Sequence, residues 1–318
     1  MILMDYSQVA LSCIVQEAAA HNGLSFDENL TRHFILNAIR SHNNKLGPKY
    51  GEMVVCCDAG KVWRKQYFEY YKAGRKKGRD ESPLDWNTIF AVLNEIRNAM
   101  QEYFPFKVIQ IDGLEADDII AVLAKHKATS PSVDPLEDMF STSKPTMILS
   151  GDKDYAQLQI YNNVKQYSPT LKKDIVCKNP REFLLEHILR GDVGDGVPNM
   201  LSPDNIFLTE DRQSSITAPI LQTWLSYNGR AEEFFDDYEA GRILPNLKRK
   251  ISPDNLRKNY DRNNMMVNLD CIPQQLQQKV LDAYNAPVTG SLTEVMKYFG
   301  AAKLRNLLEN VQDFRSYK

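Results

Sequence analysis

Thr146-Met147-Ile148-Leu149-Ser150-Gly151-Asp152-Lys153-Asp154 reads as a short apolar strand that runs straight into a pair of acids. The same arrangement recurs upstream. Met1–Met4 forms a strand before Asp5, and Met53–Cys57 a second before Asp58. Lys107–Ile111 is a third, leading through Asp112 into Glu115-Ala116-Asp117-Asp118. Helical patterns fill the gaps. Residues 8–20 are one. Ser25-Phe26-Asp27-Glu28 is a capping box for a second, with Leu30, Phe34, Ile35 and Ile39 at helical spacing. Leu84, Trp86, Ile89, Phe90, Leu93 and Ile96 mark a third, and a fourth runs from about Leu114 to His126. Residues 127–144, rich in Ser, Pro and Asp, read as a loop.

Strands alternating with helices predict an α/β fold, a mostly parallel central sheet flanked by helices. Beyond residue 200 the chain reads as helical, broken by prolines at 203, 219, 245, 253, 273 and 287. The expected division is therefore a core over 1–200, with an insertion at about 60–82, and a helical C-terminal region over 201–318.

Sites in open parallel sheets form at the carboxyl ends of the strands. Acids placed there converge in space although they are distant in sequence. Gly191-Asp192-Val193-Gly194-Asp195 adds a fifth cluster. Two carboxylates ~4 Å apart repel by about 1 kcal/mol in water and about 4 kcal/mol at an effective dielectric near 20. A hard divalent cation relieves that repulsion and prefers oxygen ligands. A pair of such ions about 4 Å apart activates water against a phosphodiester. One Asp at one strand end is ordinarily a helix or turn cap; recurrence at successive strand ends is what points to a metal centre.

Composition allows this chemistry and excludes others. The chain has 318 residues, 43% hydrophobic and 25% charged, with a net charge of −2. No apolar run approaches the ~20 residues of a membrane span, and the N-terminus lacks the features of a signal peptide. Five cysteines without C-x-x-C spacing predict reduced thiols, and scattered histidines predict no zinc site. Val55 stands where a P-loop needs its first Gly, and there is no G-x-S-x-G. His126 and His187 read as half-buried spectators on helices. Charge is unevenly placed: residues 61–79 carry eight basic side chains against Glu69 alone, and 242–262 carry seven against Asp254 and Asp261. In the first segment, Tyr67, Phe68, Tyr70 and Tyr71 offer faces for unpaired bases beside phosphate-pairing cations. The alternative is a solvated basic helix with its aromatics in the core. Lys72 and Arg75, three apart, are expected on one helical face, gripping a phosphate.

Taken in order and spacing, Asp5, Asp58, Glu-Ala-Asp-Asp at 115–118, Gly-Asp-Lys-Asp at 151–154 and Gly-Asp-x-x-Asp-Gly at 191–196 resemble the 5′-nuclease superfamily of flap endonucleases and polymerase 5′-nuclease domains. The resemblance covers roughly residues 1–200. The stretch from Asp5 to Ser12, Trp63-Arg64-Lys65, the stretch from Asn163 to Pro169 and the helical tail look like the RNase H (5′ to 3′ exonuclease) enzymes of T-even bacteriophages. The resemblance implies a PIN-like core with a helical arch at 60–82. Asp5, Asp58, Glu115 and Asp117 would serve a first Mg²⁺. Asp118, Asp152, Asp154, Asp192 and Asp195 would serve a second, with Asp117 between the two and Mn²⁺ able to substitute. Arg64, Lys65, Lys76, Lys77 and Arg79 would bind nucleic acid.

The implied substrates are DNA and RNA–DNA duplexes with 5′ ends or flaps, including RNA primers of phage lagging strands. The implied setting is a monomer in the bacterial host cytoplasm, off the membrane, with a single-strand-binding protein and a sliding clamp as partners. One departure stands out. After Gly196 the chain lacks the Gly-rich G-x-G-x-K hairpin with which flap endonucleases hold duplex, and the basic stretch 242–262 is a candidate substitute. A PIN-type single-stranded RNA nuclease and a non-catalytic DNA-binding protein remain as alternatives.

Overall fold

The computed structural model describes residues 1–20, 27–82, 84–129, 145–209 and 211–317, with the backbone alone for 16–20. Its contacts divide the chain into two units. The first comprises Met1–Gly60, Ser82–Val176 and Ile272–Lys318; the second comprises Lys61–Glu81 and Cys177–Cys271. These boundaries depart from the expected cut near 200. The last segment belongs with the sheet because its apolar side chains complete the sheet's core: Phe299 and Phe314 are fully buried there against Phe104.

The first unit is built on a six-stranded sheet. Its strands are β1 (Ile2–Asp5), β2 (Met53–Cys57), β3 (Lys107–Gln110), β4 (Thr146–Leu149), β5 (Val164–Ser168) and β6 (Lys173–Ile175). Their order is β3-β2-β1-β4-β5-β6. Strands β1 to β5 are parallel, and only β6 is antiparallel. Ile2, Met4, Met53, Val55 and Cys57 join a core with α1 (Tyr6–Ala20), α2 (Glu28–Tyr50) and α5 (Trp86–Tyr103). The alternate residues Leu3, Val54 and Cys56 are equally buried on the opposite side, as the two-residue period of a strand requires. There α6 (Ala116–Thr129) packs against β1, β2 and β4. A sheet covered on both faces explains why these strands read as continuous apolar runs.

The expected helices form with shifted ends. Asp27, not Ser25, caps α2, accepting from the backbone N–H groups of Asn29 and Leu30; Ser25 and Phe26 lie outside the described residues. Helix α6 begins at Ala116 and runs to Thr129, into the first residues expected to be loop; 130–144 lie outside the described residues. At the far end of the chain, α12 (Gln274–Asn285) covers α6 and β3. Beyond α13 (Leu292–Ala301) and α14 (Arg305–Leu308), a 3-10 turn at Val311–Phe314 returns to α2. Asn43 donates there to the carbonyls of Asp313 and Arg315.

The second unit contains α3 (Arg64–Tyr67), α4 (Gly74–Asp80), α7 (Pro180–Arg190), α8 (Ala218–Ser226), α9 (Ala231–Glu239), α10 (Pro245–Lys248) and α11 (Pro253–Val267). Its core gathers Phe68, Tyr71, Ile188, Trp224, Phe234, Phe235 and Tyr238. No helix among the described residues is long and apolar enough to cross a membrane.

Candidate metal centre and basic segment

The strand order reverses direction at β1, so the carboxyl ends of β1, β2 and β4 open on one crevice. Asp5 ends β1, Asp58 follows β2, and Asp152 follows β4. Their convergence is visible in the Asp5 carboxyl, which is pushed up to about 7. Burial is the largest cause; the charges of Asp58, Asp152 and Asp117 act in the same direction, against the Gln8 N–H. That N–H donates to Asp5 Oδ1 at 3.0 Å. Ser150 Oγ and the Tyr155 hydroxyl both reach Asp5 Oδ2, at 3.2 and 3.3 Å.

Asp58, Asp117, Asp118 and Asp152 each accept a hydrogen bond from a backbone N–H. Asp58 Oδ1 accepts from the Ala116 N–H at 2.9 Å, tying the end of β2 to the start of α6. Asp118 Oδ2 accepts from the Glu115 N–H at 3.1 Å, and Asp117 Oδ1 from the Asp118 N–H at 2.8 Å. Ligand oxygens of Glu115, Asp117 and Asp118 all lie within 4.8 Å of one another. Asp152 Oδ1 accepts from the Asp154 N–H at 3.0 Å. Every potential metal-ligating atom here is a carboxylate oxygen, and burial, with the neighbouring acids adding to it, holds a proton on Asp5 far above its ordinary range. That set fits a hard divalent cation.

In the second unit, Asp192 and Asp195 lie on a tight turn. Asp192 and Val197 exchange backbone hydrogen bonds, and Asp195 N–H donates to Asp192 Oδ1. Gly191 has φ +65°, and a Cβ there would sit 2.3 Å from the Val197 carbonyl oxygen, so only glycine fits. His187 is buried with Nε2 3.3 Å from Asp192 Oδ2; it is a partner of the motif and not the expected spectator.

The basic segment departs from its expected helix. Lys72 has φ +57°, and α4 starts only at Gly74, so Lys72 and Arg75 do not share a helical face. They meet instead at Asp195: Arg75 Nη2 lies 2.6 Å from Oδ1 and Lys72 Nζ 3.5 Å from Oδ2, where the Tyr71 hydroxyl also donates. Arg64 is 1% exposed and donates to the Met266 carbonyl, so it is withdrawn from the nucleic-acid-binding set. Lys65, Lys76 and Lys77 are exposed, and Arg79 is half-buried. The aromatics divide: Tyr67 is exposed, whereas Phe68 and Tyr71 are core residues. In the stretch 242–262, Arg242 pairs with Asp237, Arg257 with Glu232, and Lys258 and Arg262 with Asp204. Arg262 also donates to the carbonyls of Pro198 and Asn199. Much of that basic charge is therefore engaged inside its own unit.

Gln8, Ser150, Tyr155 and His187 were missed as site partners. The signal for the first three was nearness to the acids in sequence; His187 is recognisable only once α7 and the turn are folded together.

Comparison with known proteins bears on the fold and the family. Over 319 aligned residues the chain is 28% identical to the ribonuclease H of enterobacteria phage T4, covering 98% of this chain and 95% of that protein. A bacteriophage T5 flap endonuclease, solved as a pseudo-enzyme-product complex with DNA and metal ions, superposes with a TM-score of 0.60 at 15% identity, covering 98% of both chains. The T5 D15 protein co-crystallised with metal ions, a second structure of that same protein, gives a TM-score of 0.59 at 18% identity, covering 89% of this chain and 97% of that one. The family model for the 5′-3′ exonuclease N-terminal, resolvase-like domain matches residues 17–185, more than half of the sequence, and the chain belongs to the 5′-3′ exonuclease family.

Proposed function

We propose that this 5′ nuclease hydrolyses phosphodiesters at the 5′ ends and flaps of DNA and RNA–DNA duplexes, using two Mg²⁺ ions for which Mn²⁺ can substitute. The observation that carries the reading is the gathering of acids at the carboxyl ends of the strands: ligand oxygens of Glu115, Asp117 and Asp118 lie within 4.8 Å of one another, beside Asp58, which is tied to the start of the same helix. A divalent cation, when bound, would supply an activated water and charge stabilisation for the leaving oxygen. Asp5, Asp58, Glu115, Asp117, Asp118, Asp152 and Asp154 hold it; Asp192 and Asp195 are assigned to the same task on their sequence motif alone. Ser150, Tyr155 and the Gln8 N–H orient the Asp5 carboxylate. Lys72 and Arg75 grip the scissile phosphate, and Lys65, Lys76, Lys77 and Arg79 hold the strand electrostatically. The likeness to the phage T4 ribonuclease H supports RNA–DNA duplexes as substrates; the proposal adds removal of RNA primers from lagging strands, by a monomer in the host cytoplasm. A single-strand-binding protein and a sliding clamp are its proposed partners.

Purified protein on a 5′-flap DNA and on an RNA-primed duplex, with Mg²⁺, Mn²⁺ or chelator, tests this. Cleavage of both that chelator abolishes is the expected result. Equal cleavage of unstructured single-stranded RNA would favour a PIN-type ribonuclease, and binding without cleavage would leave a DNA-binding protein.

A further inference from the structure

Gln166 lies on β5, opposite Ile148 of β4, and is 1% exposed. Its Nε2 donates to two carbonyls of the loop that follows β4: Ser150 O at 3.1 Å and Asp152 O at 2.6 Å. Its Oε1 accepts from Gln159 Nε2, which also donates to the Ile175 carbonyl. The amide orientation is thereby fixed, with both of its hydrogens directed at the loop. The N–H of the intervening Gly151 donates to Gln8 Oε1. Two glutamine side chains therefore hold one backbone group in each of the three consecutive residues Ser150, Gly151 and Asp152. Ser150 and Asp152 are linked to the acids directly, through Ser150 Oγ to Asp5 and through Asp152 Oδ1 to the Asp154 N–H.

A carbonyl withdrawn from water without a donor costs free energy, and the Gln166 carboxamide meets that need at two points of this loop. We propose that Gln166 is a positioning residue for the divalent cation: its carboxamide fixes the β4 loop so that Asp152 and Asp154 are presented together with Asp5. The inference rests on the metal-binding reading of these acids. It adds a requirement that no carboxylate supplies, a neutral double donor behind the ligands. Outer partners of this kind typically change metal affinity by about 10–100-fold.

The test uses the whole protein and Mn²⁺ alone, with no nucleic acid. Mn²⁺ binding is measured by titration, and melting temperature is recorded with and without the ion, for wild type, Gln166→Met and Gln166→Glu. The Met variant keeps the length without either donor; the Glu variant keeps acceptance from Gln159 and loses both donors, and serves should the Met variant fail to fold. The expected result is a Kd raised about tenfold or more, with a smaller Mn²⁺-induced rise in melting temperature. A purely structural role would lower the metal-free melting temperature and leave the Mn²⁺ Kd as in wild type, which would overturn the proposal. Wild type that binds no Mn²⁺ would overturn the metal reading itself, and this inference with it.

Discussion

Tyr155 and Asp5 are joined by a 3.3 Å hydrogen bond from the Tyr155 hydroxyl to Asp5 Oδ2. The tyrosine is 1% exposed, and burial among the acids raises its own hydroxyl well above the ordinary range, so at neutral pH it remains a donor. A donor favours the ionised carboxylate, which is the form that binds a cation. Tyr155→Phe should therefore move the acid limb of the kcat/KM profile upward by about half a pH unit at fixed Mg²⁺. An unshifted limb would remove Tyr155 from the set that orients Asp5.

Asp154→Asn should abolish cleavage, with a loss larger than the roughly 10–100-fold typical of an outer partner of a metal ligand. Substrate affinity should remain, since backbone-positioning contacts come mainly from cations elsewhere. Near-normal turnover at saturating Mg²⁺ would rule Asp154 out as a ligand.

Mg²⁺ should raise the melting temperature, and more so at pH 8 than at pH 5.5. An unfolded Asp releases its proton near 4, whereas Asp5 in the fold holds one until about 7. The stability this gives is complete below pH ~4 and is lost as pH rises through about 7, at up to about 1.4 kcal/mol per unit. The metal-free protein thus weakens across that window, and a cation replaces the proton at its upper end. Melting curves at matched ionic strength decide the matter; equal shifts at both pH values would contradict it.

Lys72→Ala and Arg75→Ala should each lower kcat more than they raise KM, by roughly 2–4 kcal/mol of transition-state stabilisation. Lys76→Ala and Lys77→Ala should act through KM, with an effect that shrinks as salt rises. Because Lys72 and Arg75 share Asp195 in the structure, the double variant should cost less than the sum of the single ones. Single-turnover rates unchanged in both single variants would reduce the pair to a binding surface.

The central sheet was legible because its strands are buried on both faces and so appear as unbroken apolar runs such as Met53–Cys57. The positions of Asp5, Asp58 and Asp152 were legible for the same reason: each lies at or just after the end of a strand that the pattern marks. Strands β5 and β6 escaped as elements. Val164–Ser168 sets Lys165 and Gln166 side by side and so breaks the apolar run, and Lys173–Ile175 is a short exposed edge. Arg64 was misjudged because charge in a sequence says nothing of burial, and the Met266 carbonyl that accepts its hydrogen bond lies about two hundred residues away. Lys72 was misjudged because no local pattern announces a left-handed lysine. The sequence motif located the β4 acids; the Gln166 hydrogen bonds behind their loop required the register of β4 against β5.

The return of residues 272–317 to the first unit has a consequence for biosynthesis. Phe299 and Phe314 fill the core beside Phe104, and Asn43 reaches the carbonyls of Asp313 and Arg315. A nascent chain therefore displays all six strands, with the acids at their tips, well before the side chains that close the hydrophobic interior have left the ribosome. Contacts of such long sequence separation form late and slowly. Until residues 272–317 are synthesised, the apolar side chains of α2 and α5 that share a core with Phe299 and Phe314 stand open to water.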